Sequence, residues 1–134
     1  MIVVDSNILA HLYLPGPFTP AAEALLQREP QWAAPVLWRS EFRNILAGYL
    51  RRGMLSFEQA CGIQAEAESL MAGLEYEVPS WEVLDLVRQS NCSACDCEFV
   101  ALAMRMNVKL VTMDCKVLEA FRHCAVDLDG AHWP

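Results

Sequence analysis

Four acidic residues, Asp5, Glu41, Asp96 and Asp114, stand where a carboxylate can do chemistry rather than merely face water. Asp5 follows Met1 to Val4, an apolar, mostly β-branched run that reads as a buried parallel strand. Asp114 follows Val108, Leu110 and Val111, a second short buried strand. Parallel strands put both acids at the carboxyl edge of one sheet, where α/β folds build their sites. Asp96 opens the helix that feeds the second strand. At about 100° per residue it falls inside the apolar arc of Phe99, Val100, Leu102, Ala103 and Met106, whereas Glu98 falls well off it. Glu41 points between Leu37 and Ile45 on a helix whose apolar stripe also holds Trp38, Phe42, Leu46 and Tyr49.

Singly, each acid has a plain structural role. Asp5 and Asp114 can cap helices, Asp96 can serve a helix dipole, and Glu41 can pair with an arginine at the stripe edge. Jointly, carboxylates brought together repel and raise one another's pKa. A cluster of hard oxygen donors around Mg²⁺ or Mn²⁺ resolves that repulsion. Such an ion orients a phosphate and activates water, so phosphodiester cleavage needs no nucleophilic side chain. The remaining acids, including Glu66, Glu68, Glu75, Glu77, Glu82 and Asp85, read as solvated faces.

The elements that must position these residues alternate between strand and helix. Asp5, Ser6 and Asn7 precede a short helix over Ile8 to Leu14, which Pro15-Gly16-Pro17 ends. Thr19 before Pro20 opens a helix to about Arg28, and Trp32 to Val36 predicts a strand. Leu37 to Arg52 is amphipathic and stops at Gly53. Ser56 with Gln59 makes a capping box for a helix to about Ala72. A strand over Glu75 to Val78, a helix from Ser80 to Ser90, and a helix capped by Ser93 or Asp96 and ended at Asn107 follow. Val117 to Phe121 and Ala125 to Leu128 complete the pattern as helix and edge strand. This is an α/β fold with a central, mainly parallel sheet, expected to form one domain over residues 1–134.

The formal net charge of −7 disfavours a general nucleic-acid binder, which needs Lys and Arg for phosphate, unless the acids are gathered on metal while local cations meet phosphate. It also suits a basic protein partner. Six cysteines without a secretory signal read as reduced thiols. Cys92, Cys95 and Cys97 resemble half a zinc site, but no second cluster follows and His11, His123 and His132 are scattered. MIVVDSNIL has no basic leader and no apolar run reaches the ~18 residues of a membrane span, so a cytoplasmic protein is expected.

The contexts VVDSNIL, WRSEFRNIL, SACDCEFVALA and KLVTMD resemble, in order and spacing, the PIN-domain ribonucleases and among them the VapC toxins of toxin–antitoxin pairs. The resemblance implies an α/β/α sandwich and Mg²⁺- or Mn²⁺-dependent endoribonuclease activity at Asp5, Glu41, Asp96 and Asp114. It also implies an RNA substrate, a small antitoxin reaching the active-site groove, and a homodimer. Cys95 stands where many relatives carry an aromatic, and Lys116 near where another acid is common, which leaves one or two ions open. Alternatives are a PIN nuclease of RNA processing, a non-catalytic RNA- or protein-binding module, and a phosphatase-like hydrolase. Arg39, Arg43 and Lys116 are the expected phosphate contacts. The helix pair Leu37 to Arg52 and Ser56 to Ala72 is expected to offer an apolar groove to the antitoxin, with Trp32, Trp38, Trp81 and Trp133 adding apolar surface.

Overall fold

A computed structural model of the protein describes residues 1–130, built around the central strand β1 (Ile2–Val4), whose side chains are all buried. His132 and Trp133 lie outside the described residues. The other strands are β2 (Trp32–Pro35), β3 (Glu75–Tyr76), β4 (Leu110–Val111) and β5 (Ala125–Val126), all pairing in parallel in the order β3-β2-β1-β4-β5. Helices α1 (Ser6–Tyr13), α2 (Thr19–Arg28), α3 (Trp38–Arg51), α4 (Phe57–Met71), α5 (Ser80–Arg88), α6 (Ala94–Met106) and α7 (Cys115–Ala120) flank the sheet. The expected α/β/α sandwich is the fold observed.

Burial on both faces explains why the inner strands are apolar runs rather than alternating ones. Ile2, Val3, Val4, Trp32, Ala33, Ala34, Leu110 and Val111 are all buried. The chain leaves β1 for β2 on one side and returns through β4 on the other. The strand order therefore reverses beside β1, and the crevice at the carboxyl ends of β1 and β4 is the switch point where such sheets bind ligands. Register holds it in place: Val4 is level with Val111, and the Asp5 amide donates to the Val111 carbonyl at 3.0 Å.

Helix ends follow the local chemistry with a few differences. Ser56 and Gln59 form the expected capping box, Ser93 caps α6, and Asn107 closes α6 in the left-handed conformation at φ 55°. Gly53, at φ 70°, turns the chain between α3 and α4. The first helix begins at Ser6 instead of Ile8, because the Asp5 carboxylate already caps it. Thr19 is the first residue of α2 and not its cap. Its hydroxyl is drawn to the Gly16 amide and the His11 carbonyl. Ser80 likewise sits inside α5, with Pro79 at the cap position. The strands β3, β4 and β5 span two residues each, shorter than their apolar runs. Among the described residues, no helix is long and apolar enough to cross a membrane.

Candidate active site

Asp5 is held from two sides. Its Oδ1 accepts from the Ser6 amide at 2.7 Å, and its Oδ2 accepts from the Thr112 hydroxyl at 2.7 Å. The Ser6 hydroxyl in turn donates to Glu41 Oε1 at 2.7 Å, so two candidate acids are joined through one serine. On the other side, Thr112 Oγ1 accepts from the Asp114 amide at 3.1 Å. Asp114 caps α7, its Oδ1 accepting from the amides of Lys116 and Val117. Asn7 adds a brace by accepting from the Met113 amide at 3.3 Å. The result is a hydrogen-bonded chain from α3 through α1 and β1 to the end of β4.

Asp96 joins this chain through charge rather than through a hydrogen bond. Burial pushes the Asp5 carboxyl up, and the hydrogen bonds from Thr112 and Ser6 oppose that. The charges of Asp96 and Asp114 then raise it further. Glu41 is likewise raised, first by burial, with Asp5, Asp96 and Glu98 adding repulsion against the Ser6 bond. The four predicted acids thus share one electrostatic neighbourhood. Among the described residues, however, no three His, Cys, Asp or Glu side chains stand close enough to ligate one ion directly. The donor set still has the chemistry of a hard divalent cation site, since Mg²⁺ is usually held by one or two carboxylates and keeps several waters.

Several functional candidates escaped the sequence. Ser6 reads in sequence as a capping residue and Thr112 as the end of a strand, yet they are the buried hydroxyls of the site. Glu98 was set aside for lying off the apolar arc of its helix. It is half-buried, its pKa is raised by that burial, and it repels Glu41. Acids read as solvated are partly committed to ion pairs: Glu75 and Glu68 with Arg39, Glu82 with Arg105, and Asp85 with Arg88. Arg39 therefore does not stand ready for phosphate. It donates twice to Glu75, at 2.6 and 2.7 Å, and once to Glu68. Among the described residues, Arg43 reaches only the Ser40 hydroxyl, and it stays exposed. Among the cysteines near Asp96, Cys92 and Cys97 are buried as small core residues, but Cys95 is exposed, and all six thiols are free.

The raised carboxyls fix the sign of a pH effect. A folded-state pKa above the unfolded value costs stability at neutral pH, and the cost fades as pH falls between the two. The expected result is that Asp5→Asn melts higher than wild type at pH 7 in chelator, with the gap closing as pH falls toward 3.8, the ordinary Asp value. Thermal melts across that range measure it. A gap independent of pH would show that the ionised Asp5 carboxylate carries no such cost.

Comparisons with known proteins agree with this fold. The profile of the PIN domain matches residues 2–122. Ribonuclease VapC3 of Pyrobaculum aerophilum is 27% identical over 123 residues, covering 90% of this chain and 94% of its own. The crystal structure of PAE2754 from Pyrobaculum aerophilum superposes with a TM-score of 0.76 at 20% identity, covering 96% of this chain and 83% of that one. A toxin–antitoxin complex from Klebsiella pneumoniae contains a chain that superposes at 0.68 with 19% identity, covering 96% and 98%.

Proposed function

This chain belongs to the PIN-domain family, and on that premise we propose that it is a Mg²⁺- or Mn²⁺-dependent endoribonuclease, the toxin of a toxin–antitoxin pair. The observation that carries the reading is the placement of Asp5 at the switch point of the sheet, in one electrostatic neighbourhood with Glu41, Asp96 and Asp114. Similarity to Ribonuclease VapC3 supports RNA as the substrate.

When bound, a divalent ion supplies positive charge at the phosphodiester and acidifies a water. The protein's own residues do the positioning. Thr112 and the Ser6 amide fix both oxygens of Asp5, which keeps the carboxylate oriented despite the repulsion around it. Ser6 holds Glu41 in register with Asp5 through one hydroxyl, and Ser93 fixes the start of the helix that presents Asp96. The repulsion stored among these acids is released when positive charge enters, so ion binding stabilises the fold.

The partner belongs to the same proposal. Between α3 and α4 lies an apolar groove of about 430 Å³ lined by Leu46, Ala47, Leu50, Phe57, Ala60 and Cys61, with Arg43, Gln64, Ala65 and Glu68 also on its walls. Phe57 is 70% exposed there, a large apolar side chain left without cover. We assign this groove to an apolar helix of the antitoxin, a mode of recognition suited to two diverging amphipathic helices. A basic residue following that helix would meet the acidic site. The toxin–antitoxin complex that shares this fold fits such a partner. A homodimer uses another face, for which exposed Trp81 and Leu84 on α5 are available.

Purified protein with total RNA and Mg²⁺ or Mn²⁺ is expected to generate new, mappable RNA ends that chelator prevents. Co-expression with the product of the neighbouring reading frame is expected to give a complex, and Phe57→Asp to lower its affinity at least about ten-fold. Cleavage without toxicity and without a captured neighbour would assign the chain to RNA processing instead. An intact RNA pool with either ion would leave a binding module or a hydrolase of other phosphate esters.

A further inference from the structure

Beside Asp114, whose Oδ1 accepts from the Lys116 amide, lies a cavity of about 370 Å³. One wall is the loop Ser90, Asn91 and Cys92, and the other is α7 with Lys116, Glu119 and Ala120. Its size falls within the range of about 300–1,000 Å³ typical of small-ligand sites. Cys92 forms its inner wall and is buried, and α6 with Asp96 begins two residues later. The Cys92 thiol is pushed up first by burial, and it also feels the charges of Asp96, Asp114 and Lys116. The cavity therefore opens within electrostatic reach of two of the four acids.

The polar groups of this cavity divide into occupied and free. Ser90 Oγ donates to the Leu86 carbonyl and accepts from the Cys92 amide, so it is spent on holding the loop. Asn91, Lys116 and Glu119 are exposed, and among the described residues none of their side chains enters a hydrogen bond or an ion pair. Lys116 and Glu119 are three residues apart on one helix, a spacing that normally lets opposite charges meet, yet they are not paired. An unpaired ammonium beside an acidic cluster suits a phosphate that must approach that cluster. A nearby carboxylate can only accept hydrogen bonds.

We propose that this cavity receives one nucleotide flanking the scissile phosphate of a single-stranded RNA, with Lys116 on its phosphate and Glu119 and Asn91 on its base. This inference rests on the nuclease reading and names a substrate contact for it. The chemistry selects the base. A carboxylate with two acceptor oxygens matches the adjacent N1–H and N2–H donors of guanine. Uracil presents it with two carbonyl oxygens around a single N–H. Unstacked bases of single-stranded RNA expose these edges to a protein. Guanine is thus favoured at this position and uracil excluded.

The test uses the full chain and two readouts. Randomised single-stranded RNA is cleaved with Mg²⁺ or Mn²⁺ by wild type, Asn91→Ala, Lys116→Ala and Glu119→Gln, and the ends are sequenced. Wild type is expected to favour guanine over uracil at one position beside the cut, and Glu119→Gln to reduce that preference about ten-fold. Binding of a fluorescent guanine-containing oligonucleotide is measured separately on the non-cleaving Asp5→Asn background as salt is varied. Adding Lys116→Ala is expected to lower the slope of log affinity against log salt by about 0.7, the share of one single-strand phosphate. The three side chains are exposed, so unchanged thermal midpoints are the folding control. Cleavage with an unaltered base preference in Glu119→Gln and an unaltered slope in Lys116→Ala overturns the subsite and leaves the nuclease reading standing. If wild type cleaves nothing, the nuclease reading fails, and an oligonucleotide slope indifferent to Lys116 overturns the subsite as well.

Discussion

Asp5→Asn is expected to lower RNA cleavage by more than about a hundred-fold while raising the thermal midpoint. The activity loss follows from removing a charged oxygen from the proposed cation site, since even outer partners of metal sites cost about 10–100-fold. The stability gain follows from the surroundings of Asp5. It is half-buried, and besides that burial Asp96 and Asp114 push against its charge. Asn keeps the hydrogen bonds. Its carbonyl can accept from the Ser6 amide, and its amide can donate to Thr112 Oγ1. A gain of roughly 1 kcal/mol would move the midpoint by about 3–5 °C in a domain of this size. Metal-free melts and single-turnover cleavage measure the two effects. A variant both inactive and less stable would mean that Asp5 serves the fold as a cap rather than the site as a ligand.

The largest stability effect is expected at the residue after Glu41. Phe42 is fully buried, with its ring centroid 6.1 Å from that of Trp38 and 6.3 Å from that of Tyr13. It thereby pins α3 to α1, the two helices that Ser6 and Glu41 join. Phe42→Ala is expected to cost about 3–5 kcal/mol, the transfer of the ring plus the cavity left behind. Urea unfolding of the metal-free protein measures it. A cost below about 1 kcal/mol would show that α1 and α3 collapse onto each other without the ring. Cleavage by the surviving folded fraction is also expected to fall, because the Ser6–Glu41 bond depends on how those helices are seated.

The architecture was legible because local and global signals agree along most of the chain. Val3 and Val4 can only be a buried strand, Ser56 with Gln59 can only start a helix cheaply, and Asn107 tolerates the left-handed turn that ends α6. The candidate acids were legible for a related reason: a carboxylate next to a buried strand or on an apolar stripe conflicts with its surroundings. What stayed hidden depends on contacts between distant segments. Thr112 and Ser6 carry no such conflict in sequence, since a hydroxyl after a strand is commonplace, and only the fold brings Thr112 to Asp5. Arg39 looked free because Glu75 and Glu68 lie some thirty residues away in the chain, yet they form its ion pairs. Cys95 is exposed and Cys97 buried, although the helical period puts Cys95 inside the apolar arc of α6 and Cys97 off it.

The placement of β1 between β2 and β4 also sets a clock during synthesis. Asp5 is made well before its partners, so its amide has to wait for the Val111 carbonyl and its carboxylate for the Thr112 hydroxyl. At about 5–20 residues per second, more than a hundred residues of translation separate these partners. Parallel pairing between such distant segments is slow to form even once both are present. A nascent chain therefore carries Asp5 through that interval without a site to use it in. A nuclease assembled this way stays harmless to the RNA being translated beside it until the segment that carries Thr112 has been made.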